Sequence, residues 1–140
     1  MKRREFLQST GIISVGLLTG CTPTSESAPV ELQTTIVDNK ILVDITEINQ
    51  LEPRVIAWGK KRIGVIKNDD GSFHASVMTC THRGCTVSKV KDNYICPCHG
   101  ARYTYQGKLT KGPAEQDLMA LTVTVDAQFV YVHLPETQAL

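Results

Sequence analysis

Cys80-Thr81-His82-Arg83-Gly84-Cys85 and Cys96-Pro97-Cys98-His99-Gly100 are the two stretches on which the reading of this chain turns. Each pairs a thiolate donor with an imidazole donor, the first as C-x-H and the second as C-x-x-H, with thirteen residues between His82 and Cys96. Four donors must converge on a point from two sides, which hairpin tips supply and continuous strands cannot. Gly84 and Gly100 allow tight turning beside the donors, and Pro97 stiffens the second loop. Two metal chemistries use this donor set. A structural zinc takes two cysteines and two histidines in a tetrahedron, but its cysteines normally pair with each other at two to four intervening residues. Zinc also leaves Cys85 and Cys98 without a task. The alternative is a two-iron cluster in which two imidazoles replace two thiolates on one iron.

Taken together, the two boxes resemble those of Rieske [2Fe–2S] proteins, in the branch that carries an extra cysteine in each box, as in cytochrome bc-type complexes. The resemblance implies that Cys80 and Cys96 bind one iron, that His82 and His99 bind the other, and that Cys85 and Cys98 form a disulfide. It implies an all-β fold, an antiparallel sandwich or barrel with a small cluster-binding subdomain inserted between its strands. It covers about residues 37–134, and its specific part is confined to 80–113. Members commonly place Ser directly after the Gly of the second box and Tyr two residues later, as potential-tuning hydroxyls. Tyr103 keeps the second, while Ala101 stands at the first, which implies a lower potential than in the Ser-containing relatives. Arg83 replaces a usually apolar residue and suits an acidic or polar partner. The spacing between the boxes is short for the family, whereas Gly112-Pro113-Ala114 resembles the proline loop that covers the cluster.

The pattern around the boxes predicts short strands. Ile41–Ile45 is a nearly continuous apolar run. Arg54–Trp58 and Arg62–Lys67 follow, then an Asn68-Asp69-Asp70-Gly71 hairpin turn and Phe73–Met78, which leads into the first box. Val87–Val90 and Tyr94–Ile95 form a hairpin into the second box, Tyr103–Leu109 leaves it, and Leu121–Val125 and Phe129–Leu134 finish the sheet. No 3.6-residue period persists over three turns, and regular short strands with turn signals indicate a sandwich or barrel. His74 and His133 read as ordinary strand residues, Trp58 as core, and Lys60-Lys61-Arg62 as a solvated turn that could face lipid head groups.

The N-terminus reads differently. Lys2-Arg3-Arg4-Glu5-Phe6-Leu7 resembles the twin-arginine export motif, and the apolar run Gly11–Leu18 is too short for a membrane span but suits a signal peptide. Leu18-Thr19-Gly20-Cys21 resembles a lipobox, with Cys21 as the lipidated first mature residue; an uncleaved signal-anchor is the competing reading. Of five cysteines, Cys21 is the one left over when the boxes take four. The expected organisation is therefore residues 1–20 as signal peptide, 21–36 as lipidated N-terminus and flexible tether, and 37–140 as the Rieske domain. Export of folded cargo agrees with a cluster acquired inside the cell, and an oxidising compartment lets a disulfide persist.

Charge is nearly balanced, with fifteen basic and fourteen acidic residues, so no nucleic-acid-binding face is implied. Residues 1–20 hold three of the basic and one of the acidic residues, so the remainder carries twelve against thirteen, a net charge of −1. The function expected is one-electron transfer on the extracytoplasmic face of a bacterial membrane, as the iron–sulfur subunit of a quinol-oxidising cytochrome bc-type complex. In such relatives the histidine matching His99 receives a hydrogen bond from quinol. Two alternatives share the cluster: the small subunit of a periplasmic molybdenum oxidoreductase of arsenite-oxidase type, with a molybdopterin subunit as partner, and a free-standing lipoprotein electron carrier. A zinc-stabilised binding module is the fourth.

Overall fold

The computed structural model describes residues 35–136. The expectations for the export signal, for Cys21 and for the tether up to residue 34 lie outside the described residues. Three four-stranded antiparallel sheets make up the domain. The first is ordered β1 (Thr35–Val37), β2 (Lys40–Asp44), β12 (Phe129–His133), β11 (Val123–Val125). The second is ordered β10 (Ala120–Leu121), β5 (Phe73–Val77), β4 (Lys61–Lys67), β3 (Arg54–Trp58). The third is ordered β6 (Ser88–Val90), β7 (Asn93–Ile95), β8 (Arg102–Thr104), β9 (Leu109–Lys111). The only helical turn among the described residues is Ile45–Glu47, capped by the Asp44 carboxylate, which accepts from the Thr46 N–H.

The second sheet is the shared layer. Side chains alternate across a strand, and β4 uses both faces. Ile63 and Val65 enter a core formed with Ile41 and Val43 of β2 and with Val130 and Val132 of β12. Ile66 enters a second core with Met78, Tyr94 and Tyr103, against the third sheet. Each such buried aliphatic side chain contributes about 1.5–3 kcal/mol. Gly64, on the same face as Ile66, is required to be glycine: a Cβ there would lie 2.0 Å from the Tyr94 hydroxyl oxygen. The Tyr94 ring thus rests directly on the β4 backbone, and this fixes how closely the third sheet packs on the second.

Most expected strands are present, β3 with the expected bounds. Three details differ. Leu121–Val125 is two strands, because the chain leaves β5 after Leu121 and joins β12 at Val123, with the Thr122 carbonyl accepting from the His133 N–H. Tyr103–Leu109 is a hairpin turning at Gly107, whose φ of +80° suits glycine. Finally, β1 straddles the expected boundary between residues 36 and 37, since Ile36 pairs with Ile41. Among the described residues no helix is long and apolar enough to cross a membrane.

Candidate metal centre

Both donor-bearing loops are built on one frame. In the first, the Cys80 N–H donates to the Cys85 carbonyl at 2.7 Å and the Gly84 N–H donates to the Cys80 carbonyl at 2.9 Å. In the second, the Cys96 N–H donates to the Ala101 carbonyl at 2.8 Å and the Gly100 N–H donates to the Cys96 carbonyl at 2.9 Å. Gly84 and Gly100 both close the turn at φ +80°. The sheets position these frames: β5 feeds the first loop, a Thr79–Thr86 bridge closes its base, and β7 and β8 enter and leave the second. The Cys85–Cys98 disulfide ties one loop to the other.

The four expected donors lie on these two loops, graded by depth. Cys80 and Cys96 are free thiols, 2% and 1% exposed, whereas His82 is half-buried and His99 exposed. The two imidazole rings sit edge to face with centroids 4.7 Å apart. The sulfurs of Cys85, Cys96 and Cys98 fall within 4.8 Å of one another, but the bonded pair has no thiolate to give, so Cys96 is the donor in that group. Burial disfavours the Cys80 thiolate, yet hydrogen bonds from the Tyr103 hydroxyl, the His82 N–H, Cys96 and the Arg83 N–H outweigh it and bring the thiol below its ordinary value. His82 Nδ1 is buried without a hydrogen-bond partner. Leaving such a nitrogen unpaired costs about 1–3 kcal/mol, and a metal bond would remove that cost. A donor set with buried thiols, more exposed imidazoles and one buried, unpartnered ring nitrogen fits a two-iron group with unlike ends.

A second layer supports the donors. The Tyr103 hydroxyl lies 3.3 Å from Cys80 Sγ, accepts from the Thr81 N–H at 3.3 Å and is 3.2 Å from Thr81 Oγ1. Burial first, and the bond to Cys80 second, raise the Tyr103 pKa, so the hydroxyl keeps its proton. Thr81 Oγ1 donates to the Gln116 carbonyl at 2.7 Å, which holds the segment after β9 beside the first loop. That segment, residues 112–117, begins with Gly112-Pro113-Ala114, the stretch resembling a proline loop, and Ala114 and Leu118 pin it into the second core. Between it and the first loop lies a cleft of about 310 Å³ lined by Thr81, His82, Pro113, Ala114, Glu115 and Gln116. Ala101 is wholly buried and offers no side-chain donor. Thr81 and Gln116 were not singled out by the sequence pattern, since neither has a spacing that distinguishes it from other loop residues.

Of the other candidates, His74, His133 and Trp58 stay apart from the centre. His133 pairs with Thr124 Oγ1 at 2.9 Å on the first sheet. His74 lies on β5 with Nε2 buried and unpartnered; burial, then Lys108, lower its pKa. Trp58 packs against the first core, and Arg83 is exposed at the loop tip.

Comparison with known proteins extends these observations. The family model of the Rieske [2Fe-2S] domain matches residues 39–126. The cytochrome b6-f complex iron-sulfur subunit 2 of Nostoc sp. is 40% identical over 58 residues, covering 40% of this chain and 33% of that protein. The cytochrome b6-f complex iron-sulfur subunit of Chlorobaculum tepidum is 39% identical over 64 residues, covering 44% and 35%. The chain thus spans about a third of the length of these relatives. Among solved structures, the plasma membrane Rieske protein PetC3 of Synechocystis PCC 6803 matches with a TM-score of 0.50 at 29% identity, over 64% of this chain and 97% of that one. Naphthalene 1,2-dioxygenase matches with a TM-score of 0.60 at 21% identity, over 79% and 29%, a likeness of fold alone.

Proposed function

Because the chain belongs to the Rieske [2Fe-2S] domain family and carries a Rieske-type cluster, we propose that it is the iron–sulfur subunit of a quinol-oxidising cytochrome bc-type complex on the extracytoplasmic face of a bacterial membrane. In this reading the chain leaves the cytoplasm by the twin-arginine route and is anchored through lipid on Cys21. Cys80 and Cys96 would hold one iron, and His82 and His99 the other. The observation that carries the reading is the grading of the donors, with both thiols buried and His99 exposed. The similarity to cytochrome b6-f subunits supports the choice of complex.

When bound, the cluster takes up and gives up one electron at a time, and its two neutral imidazoles set the potential in a range of roughly −150 to +300 mV. The chain's own residues do the rest. The exposed His99 ring presents its metal-free nitrogen to solvent, where it accepts a hydrogen bond from a quinol hydroxyl and takes its proton at that atom. The Cys85–Cys98 bridge keeps the two loops from separating, and the 112–117 segment flanks the His82 side across the cleft. Tyr103 donates toward Cys80 and favours the state with more negative sulfur.

Purification from native membranes in mild detergent tests the assignment. A b-type cytochrome should accompany the protein, and quinol should reduce the preparation. Co-purification of a molybdopterin subunit without a b-type cytochrome would overturn it.

A further inference from the structure

The strand registers gather exposed cations at one end of the second and third sheets. Ile63 pairs with Val77 and the Arg62 carbonyl accepts from the Met78 N–H, so the Lys60-Lys61-Arg62 turn lies at the end of the second sheet where β5 feeds the first loop. On the third sheet, Arg102 follows the second loop and is paired directly with Lys111, the last residue of β9. Arg83 lies on the first loop itself. All six cations are exposed, and none forms an ion pair among the described residues. Against them this end has Glu115; Asp117 is bound to Lys108 at 3.0 Å. The turns at the other end of these sheets are mixed in sign: they hold Asp69, Asp70 and Asp92 with Lys91, and Lys108 paired with Asp117. Like charges set directly opposite on paired strands are destabilising, and Arg102 and Lys111 have no internal anion to offset that. The chain as a whole carries a formal charge of only +1, so the asymmetry is one of placement.

We propose that this cationic end is the docking surface for an acidic redox protein that exchanges electrons through the exposed His99. The inference rests on the proposed function in one respect, that electrons pass at that loop. A collar of one sign around the exchange point raises encounter rates with a partner of the opposite sign and orients it tip-first. A lipid surface is the weaker occupant, because it accepts no electron where the cations cluster.

The experiment uses the full chain with its cluster, reduced, and two small acceptors of opposite charge. Hexacyanoferrate(III) takes one electron to become hexacyanoferrate(II); tris(phenanthroline)cobalt(III) takes one to become the cobalt(II) complex. Raising ionic strength from about 0.01 to 0.5 M should slow the anion at least about tenfold and speed the cation, because screening removes local attraction and repulsion. Arg102→Gln with Lys111→Gln should flatten both slopes, and Lys67→Gln, away from the loops, should leave them unchanged. Redox-inert hexacyanocobaltate(III) should bind in calorimetry and bind at least about threefold more weakly to the double variant, given local charge–charge attraction. Flat or inverted slopes in protein with an intact Rieske EPR signal would overturn the docking surface. So would binding to phosphatidylglycerol vesicles with no discrimination between the acceptors. Loss of the EPR signal would instead overturn the proposed function, while hexacyanocobaltate binding would still decide the collar.

Discussion

Tyr103→Phe isolates one hydroxyl and should lower the reduction potential. Hydrogen counting at this hydroxyl fixes the direction. Thr81 Oγ1 spends its proton on the Gln116 carbonyl at 2.7 Å, so it cannot donate to Tyr103. The Thr81 N–H occupies one lone pair of the Tyr103 oxygen, leaving the tyrosine proton to choose between Cys80 Sγ at 3.3 Å and Thr81 Oγ1 at 3.2 Å. A charged thiolate is the stronger acceptor, so the proton points mainly at sulfur. Such a bond is worth about 1.5–3 kcal/mol, but only the part gained on reduction moves the potential. If that part is about 1 kcal/mol, the one-electron scale of 59 mV per tenfold makes the loss about 45 mV. Thr81→Val should act in the opposite sense, since it removes the competing acceptor while keeping the backbone N–H. Protein-film voltammetry at fixed pH reads both. A Tyr103→Phe potential equal to or above that of the wild type would refute the proton assignment.

Three further outcomes are expected. Ala101→Ser should raise the potential, because it places a hydroxyl donor at a wholly buried position beside the second loop; an unchanged or lowered value by the same voltammetry would contradict this. Gly64→Ala should destabilise the domain by about 1–3 kcal/mol through overpacking against Tyr94; Tyr94→Phe alone should be nearly neutral, since its hydroxyl has no partner, and should recover part of the loss in the double variant. Urea unfolding of the four proteins checks this, and strict additivity would contradict the packing argument. Burial, then Lys108, hold the His74 pKa below 6.5 in the fold, so the unfolded chain protonates first and stability falls as pH drops through that value. Urea midpoints at pH 7.5 and 5.5 should show a smaller decrease for His74→Gln than for the wild type.

Residues that bring chemistry of their own were the easiest to read from the sequence. Four donors and two further cysteines in two short boxes admit few arrangements, and the structure gathers them on two loops of one frame. Strands such as Arg54–Trp58, bounded by Pro53 and Gly59, were legible because their ends carry turn residues. The split at Thr122 was not, because Leu121, Val123 and Val125 continue one alternation while their partners change from β5 to β12. Tyr103, Tyr105 and Leu109 similarly masked the turn at Gly107. Thr81 and Gln116 meet across 35 positions; such a contact exists only once the sheets have packed. The need for Gly64 arises in the same way, from Tyr94 on another sheet.

The measurement that bears most directly on the account is metal and sulfide analysis of protein matured in its native host, joined to pulsed EPR of the dithionite-reduced form. About two iron and two acid-labile sulfide per chain are expected, with nitrogen couplings from two imidazoles. A single zinc with no sulfide, or a reduced cluster with no coupled nitrogen, would contradict it.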